Sequence, residues 1–249
     1  MVVIVLLGNL GFTFASLILG IRLCLLARRT RQLPETLIGI GFLSGGFLAF
    51  TLQWVAFVLK PPEPFLTITF YTMRSGASLA CGLLTIVAWR IFRREEAWAK
   101  IVTVAEILVL ALYIFRDTII GRGSTPEMMR HPIYWIFTFA LAFPYLWLTV
   151  EALYYQSLIR RQWAIGLPAD LVVATRMKLW ALGMGAIGCM LLGLEVIRLL
   201  NNLGGARIDT RLMISSLGLV CSICLWTAFF LPRAYLRRIE AQAASPPAA

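Results

Sequence analysis

The amino-acid sequence predicts an all-α membrane protein, a bundle of seven transmembrane helices with its N-terminus outside and its C-terminus in the cytoplasm. Three observations lead there. Sixty per cent of the 249 residues are apolar and 14% are charged, with a strongly positive mean hydropathy, a balance foreign to soluble domains. Apolar stretches recur at about 20 residues, the length that crosses a hydrocarbon core of about 30 Å. The breaks between them are short and carry their basic charge unequally.

Taken in order, the stretches are 2–27, 37–59, 65–89, 98–115, 133–155, 178–200 and 212–232. The first follows Met1 with no basic leader and no small-residue cleavage site, so it reads as a retained helix. The second carries Gly41-x-x-x-Gly45 and the third Gly76-x-x-x-Ala80, spacings that let helix backbones approach closely. The fourth is the shortest and is interrupted by Glu106; the fifth loses one backbone hydrogen bond at Pro144. Before the sixth, Gly166-Leu-Pro-Ala-Asp170 predicts a turn and a helix that starts in the cytoplasm, with Pro near its first position. That helix continues through Ala181-x-x-x-Gly185-x-x-x-Cys189, and the seventh carries Ser215, Gly218, Ser222 and Trp226 on one stripe. Residues 1–238 thus form one transmembrane domain, and 239–249, rich in Ala, Pro and Ser, are expected to be a disordered cytoplasmic tail.

Orientation comes from the loops. Arg28, Arg29, Arg31, Arg90, Arg93, Arg94, Lys100, Arg160, Arg161, Arg176, Lys178, Arg233, Arg237 and Arg238 lie on one side. Only Lys60, Arg116, Arg122, Arg130, Arg198, Arg207 and Arg211 lie on the other, so the first side is cytoplasmic by the positive-inside rule. The net charge of +11 therefore reports topology and contact with anionic lipid, not nucleic acid. All five cysteines fall in apolar stretches, where they act as small hydrophobes, and no metal or cofactor site is expected.

On the third helix Thr67, Tyr71, Arg74, Ser78, Cys81 and Thr85 recur at spacings of three and four and share one face. Arg74 lies about ten residues below the outer surface, a depth at which a charge costs roughly 2.5–3.5 kcal/mol on insertion scales and seeks a partner. The candidates are Glu195 on the sixth helix and Glu106 on the fourth; Arg198 can share the Glu195 carboxylate. Asn9 and Gln53 fall at similar depth, so the expected ligand-binding or ion-pair level is Arg74, Glu195, Glu106, Asn9, Gln53, Tyr71, Ser78 and Arg198. A buried ion pair that only sets helix register is the competing reading. On the cytoplasmic side the expected contact set is Arg28, Arg29, Arg31, Glu35, Glu151 and Arg176, with Arg176 or Lys178 reaching Glu151.

Helix number, N-out topology and an arginine in the third helix resemble the microbial rhodopsins, but the seventh helix lacks the lysine that retinal requires; lysines occur only at 60, 100 and 178. The lone His131 argues against bis-histidine haem. The phrases Ala27-Arg-Arg-Thr-Arg-Gln-Leu-Pro-Glu35, Leu171-Val-Val-Ala-Thr-Arg-Met-Lys-Leu-Trp180 and Phe229-Phe-Leu-Pro-Arg-Ala-Tyr235 resemble a group of bacterial seven-helix inner-membrane proteins, some of which precede signalling domains. That resemblance implies an orphan sensor or receptor module. The expected function is thus a receptor-like protein that binds a small ligand in an outer-half polar pocket and signals to a cytoplasmic or membrane partner. A small solute or proton-coupled transporter, and a non-catalytic subunit of a membrane complex, are the alternatives. An enzyme is not expected, because H-E-x-x-H, G-x-S-x-G and paired membrane-depth aspartates are absent from the sequence.

Overall fold

The computed structural model describes residues 2–59, 61–121, 125–202, 210–232, 235–237 and 239. Lys60, Arg122, Arg207, Arg233, Arg238 and the expected disorder of 241–249 lie outside the described residues, as does the Arg211 side chain. Ile239, which the sequence places in the tail, is helical and buried.

Among the described residues the fold is entirely helical. The elements are α1 (Val2–Thr30), α2 (Leu33–Gly41), a π-helical segment (Phe42–Ala49), α3 (Phe50–Leu59), α4 (Phe65–Phe92), α5 (Ala97–Ile114), α6 (Arg116–Ile120), α7 (Pro126–Arg130), α8 (Pro132–Ala164), α9 (Leu171–Asn202) and α10 (Thr210–Phe229). Six helical stretches are long and apolar enough to cross a membrane, the second being α2, the π segment and α3 together; Met213–Phe229 of α10 is apolar but shorter. Large apolar side chains face outward along each stretch, among them Phe14, Ile68, Ile101, Leu108, Val150, Leu182 and Ile223. An exterior of that kind suits lipid and not water.

Helix ends follow local chemistry. The Asp170 carboxylate accepts from the amides of Val172 (2.9 Å) and Val173 (3.0 Å) and so starts α9. Pro168 therefore stands ahead of the helix instead of at its first position, and Gly166 at φ +75° ends the turn that leaves α8. Helix α8 runs unbroken across the buried Pro144.

The helices close into a ring in which α8 packs on α9, α9 on α10, α10 on α1, α1 on α2 and the π segment, these on α4, and α4 back on α8; α5 lies outside the ring against α4 and α8. The small-residue motifs of the second and third stretches mate with each other. A Cβ added at Gly45 would stand 2.5 Å from the Ala80 Cβ, and one at Gly76 would stand 2.7 Å from the Ser44 carbonyl oxygen. Likewise Gly8 brings α1 onto the α10 backbone at Ser215. On α9, Ala181 is buried and its carbonyl accepts from Thr149, whereas Cys189 is exposed. The core joins Leu19, Leu23, Phe42, Leu84, Val87, Trp147, Leu148, Trp180, Met184 and Leu225 from six elements.

Candidate functional site

The polar face of α4 does point into the bundle. Tyr71 and Thr118 share a hydrogen bond (3.1 Å), the Ser78 hydroxyl donates to the Leu110 carbonyl (3.0 Å), and Cys81 Sγ donates to the Leu141 carbonyl (3.6 Å). These contacts tie α4 to α5, α6 and α8.

Arg74 pairs with neither expected acid. Its Nη2 donates to Asp117 Oδ1 at 2.6 Å, both side chains being more than nine-tenths buried. Helix height explains the correction. Counted from the turn between α4 and α5, Arg74 stands roughly 18 residues, about 27 Å, above Phe92, while Asp117 stands roughly 20 residues above Ala97. Glu106 stands only about nine residues up, roughly 13 Å too low to reach the guanidinium. Because α5 is just 18 residues long, its far end stops short and Asp117, on the α6 turn, falls level with Arg74.

From that pair the polar network spreads outward. Arg116 Nη1 lies 4.0 Å from Asp117 Oδ1 and its guanidinium carbon lies 5.3 Å from the Tyr134 ring centroid. The Tyr134 hydroxyl donates to Glu195, whose other carboxylate oxygen accepts from Arg198 Nη1 at 2.6 Å. The sharing of Glu195 by Arg198 is as expected, but Glu195 belongs to Tyr134 and not to Arg74. Elements α4, α6, α8 and α9 thus meet at one level.

Asn9 stands elsewhere. Asn9 is buried beside a cavity of about 10 Å³, one water in size, lined by Phe12, Phe50, Ile187 and Leu217 and by no residue of the network. Gln53 is half-buried on α3. On α5, Glu106 Oε1 is buried without a hydrogen-bond partner.

One further feature of Arg74 matters chemically. The Phe70 and Tyr113 rings flank its guanidinium carbon at 6.0 and 5.9 Å, and Nε and Nη1 are buried without an acceptor. A charged donor left open at that depth is costly unless something with a lone pair or a negative charge meets it.

A second polar level lies at the opposite end of the same helices. Glu151 pairs with Arg93 (Nε to Oε1, 2.7 Å) and accepts from the Trp147 indole N–H at 3.1 Å; neither Arg176 nor Lys178 fills that place. Arg93 caps α4, so it is nearer in space than the α9 cations that follow Glu151 in sequence. The hydrogen bond that Arg93 donates to Glu151 raises the Arg93 pKa above its ordinary value. Arg28, Arg29, Arg31 and Arg176 are exposed, and Glu35 accepts from the Thr30 hydroxyl across the α1–α2 turn. Since the Glu151 side chain is 6% exposed and that of Arg93 33%, Arg93→Gln destabilises more than Glu151→Gln. The difference, about 1 kcal/mol, is read from thermal unfolding in detergent, and equal midpoints would contradict the asymmetry.

Sequence reasoning missed Asp117, Arg116 and Tyr134, which it left in an outer loop or at a helix end. Equal residue counts from the α4–α5 turn were the available signal for Asp117. No family model matches the chain, and no curated protein or solved structure matches it.

Proposed function

We propose that this chain is an N-out, seven-helix protein of the bacterial inner membrane, with α10 as the seventh span, that acts as a receptor-like sensor and not as an enzyme. A small ligand carrying a carboxylate or similar acceptor meets Arg74 in the outer half, and a cytoplasmic or membrane partner reads the inner ends of the helices. The observation that carries this reading is the buried Arg74 guanidinium, of whose three nitrogens one is satisfied, by Asp117.

The route between the two ends consists of rigid helices. Arg74 and Arg93 both project from the α4 region, about 28 Å apart, and Tyr134 and Glu151 both project from α8, about 26 Å apart. A ligand that favours one arrangement of α4 against α8 at the outer level biases the Arg93–Glu151 contact at the inner level. The exposed cations Arg28, Arg29, Arg31 and Arg176 stand on the side assigned to the partner.

The test is a panel of small carboxylates screened for thermal stabilisation of the purified protein. At least one is expected to raise the unfolding midpoint of wild type, with the shift lost in Arg74→Gln and kept in Arg93→Gln. A panel without effect, or a shift unchanged by Arg74→Gln, overturns the site.

A second reading, a proton-coupled carrier, is favoured by one observation, the partnerless Oε1 of Glu106 inside α5. It predicts proton flux in reconstituted vesicles that Glu106→Gln abolishes. Vesicles that move neither proton nor carboxylate under either gradient sink it.

A further inference from the structure

At the head of the α8–α9 hairpin lies a cavity of about 200 Å³ lined by Arg160, Trp163, Ala164, Leu171, Ala174, Thr175 and Ile239. It shares no residue with either polar level. Helices α8 and α9, of 33 and 32 residues, are each about 48 Å long and overrun a hydrocarbon core of about 30 Å. Arg160 follows the apolar stretch 133–155 by about five residues, roughly 7 Å, which is the depth of the headgroup layer.

The chemistry of the walls is two-sided. Exposed Arg160 makes no ion pair among the described residues, while Trp163 lends the cavity its ring, its Nε1 being buried away from the space. The Thr175 hydroxyl donates to the Leu171 carbonyl. Asp170, the acid just before α9, is committed to the α9 amides. The other walls include Leu171, Ala174 and Ile239, the last two fully or nearly buried. A cation at the edge of a largely apolar cavity at headgroup depth fits the phosphate of an amphiphilic or small organic ester: charge-assisted bonds to the phosphate, apolar walls for the carbon.

We propose that this cavity is a binding site for a phosphate ester, with Arg160 on the phosphate and Leu171, Ala174 and Ile239 against the glycerol or acyl carbon. The inference is separate from the Arg74 reading and survives its failure.

Native mass spectrometry of the full chain in detergent tests it, with phosphatidylglycerol and phosphatidylcholine offered at equal concentration. Wild type is expected to retain the anionic lipid in preference, Arg160→Gln to weaken that retention about tenfold, and Trp163→Phe, which keeps a ring on the wall, to leave it within about twofold of wild type. Ala164→Phe fills the space without changing charge and is expected to expel the lipid, while the neighbouring Arg161→Gln leaves retention unchanged. Glycerol 3-phosphate offered to lipid-free protein separates the sources: binding that Arg160→Gln removes identifies a soluble ester, and its absence with phosphatidylglycerol retained identifies the lipid headgroup. The proposal falls if wild type holds neither ligand in preference to phosphatidylcholine, if Ala164→Phe has no effect, or if Arg161→Gln acts as strongly as Arg160→Gln.

Discussion

Asp117→Ala is expected to destabilise the protein by about 3–5 kcal/mol, more than any other single charge removal at this polar level. The substitution strands a guanidinium that is 4% exposed and already has two nitrogens without acceptors. The reverse change costs less. With Arg74→Ala, the Asp117 carboxylate keeps Arg116 at 4.0 Å, so the loss is expected near 2 kcal/mol. Replacing both, as Arg74→Met with Asp117→Leu, removes the buried charges together and is expected to bring stability back to within about 1 kcal/mol of wild type. Thermal unfolding in a mild detergent, with yield of monodisperse protein as a second readout, distinguishes these cases. A harmless Asp117→Ala would mean that the pair does not hold α4 to α6.

Gly76→Leu is expected to prevent the bundle from closing altogether. A Cβ at this position meets the Ser44 carbonyl oxygen at 2.7 Å and the Ala49 Cβ at 3.4 Å. The first obstacle is backbone of the π-helical segment and cannot rotate away. Even alanine must push α4 outward, and a small overpacking of this kind costs about 1–3 kcal/mol. Leucine adds three more carbons to the same gap. Gly11 supplies the control, because nothing lies within 4 Å of a Cβ built there, so Gly11→Leu is expected to fold normally. Expression of folded Gly76→Leu at wild-type yield would contradict the close approach of the two segments.

Apolar length and small-residue spacing made the helices and one of their close seams readable in the sequence. The reason is physical: a bilayer imposes one length on every span, and Gly45, Gly76 and Ala80 can serve few purposes on apolar helices other than contact. The polar face of α4 was readable for the same kind of reason, since Tyr71, Arg74, Ser78 and Cys81 repeat at the helical period. Partner identity was not. It depends on the relative height of neighbouring helices, and height is decided by where each helix stops. Helix α5 stops after 18 residues, which brings Asp117 to Arg74 and leaves Glu106 below it. Glu151 shows the same limit at the other end, where the cation that reaches it caps α4 and the nearby α9 cations turn outward. The π-helical segment had no signature that periodicity could reveal, because its residues are apolar or small on all sides.

The placement of α5 has a consequence for how the chain enters the bilayer. Arg74 lies on α4 and Asp117 just past the end of α5, so both are synthesised before α8, α9 and α10. The arginine can therefore be neutralised within a two-helix hairpin as that hairpin partitions out of the insertion machinery, and the cost of roughly 2.5–3.5 kcal/mol for a lone central charge need not be carried until the ring is complete. Had Arg74 depended on Glu195, its counter-charge would have arrived some 120 residues later, after the third segment had already faced lipid alone.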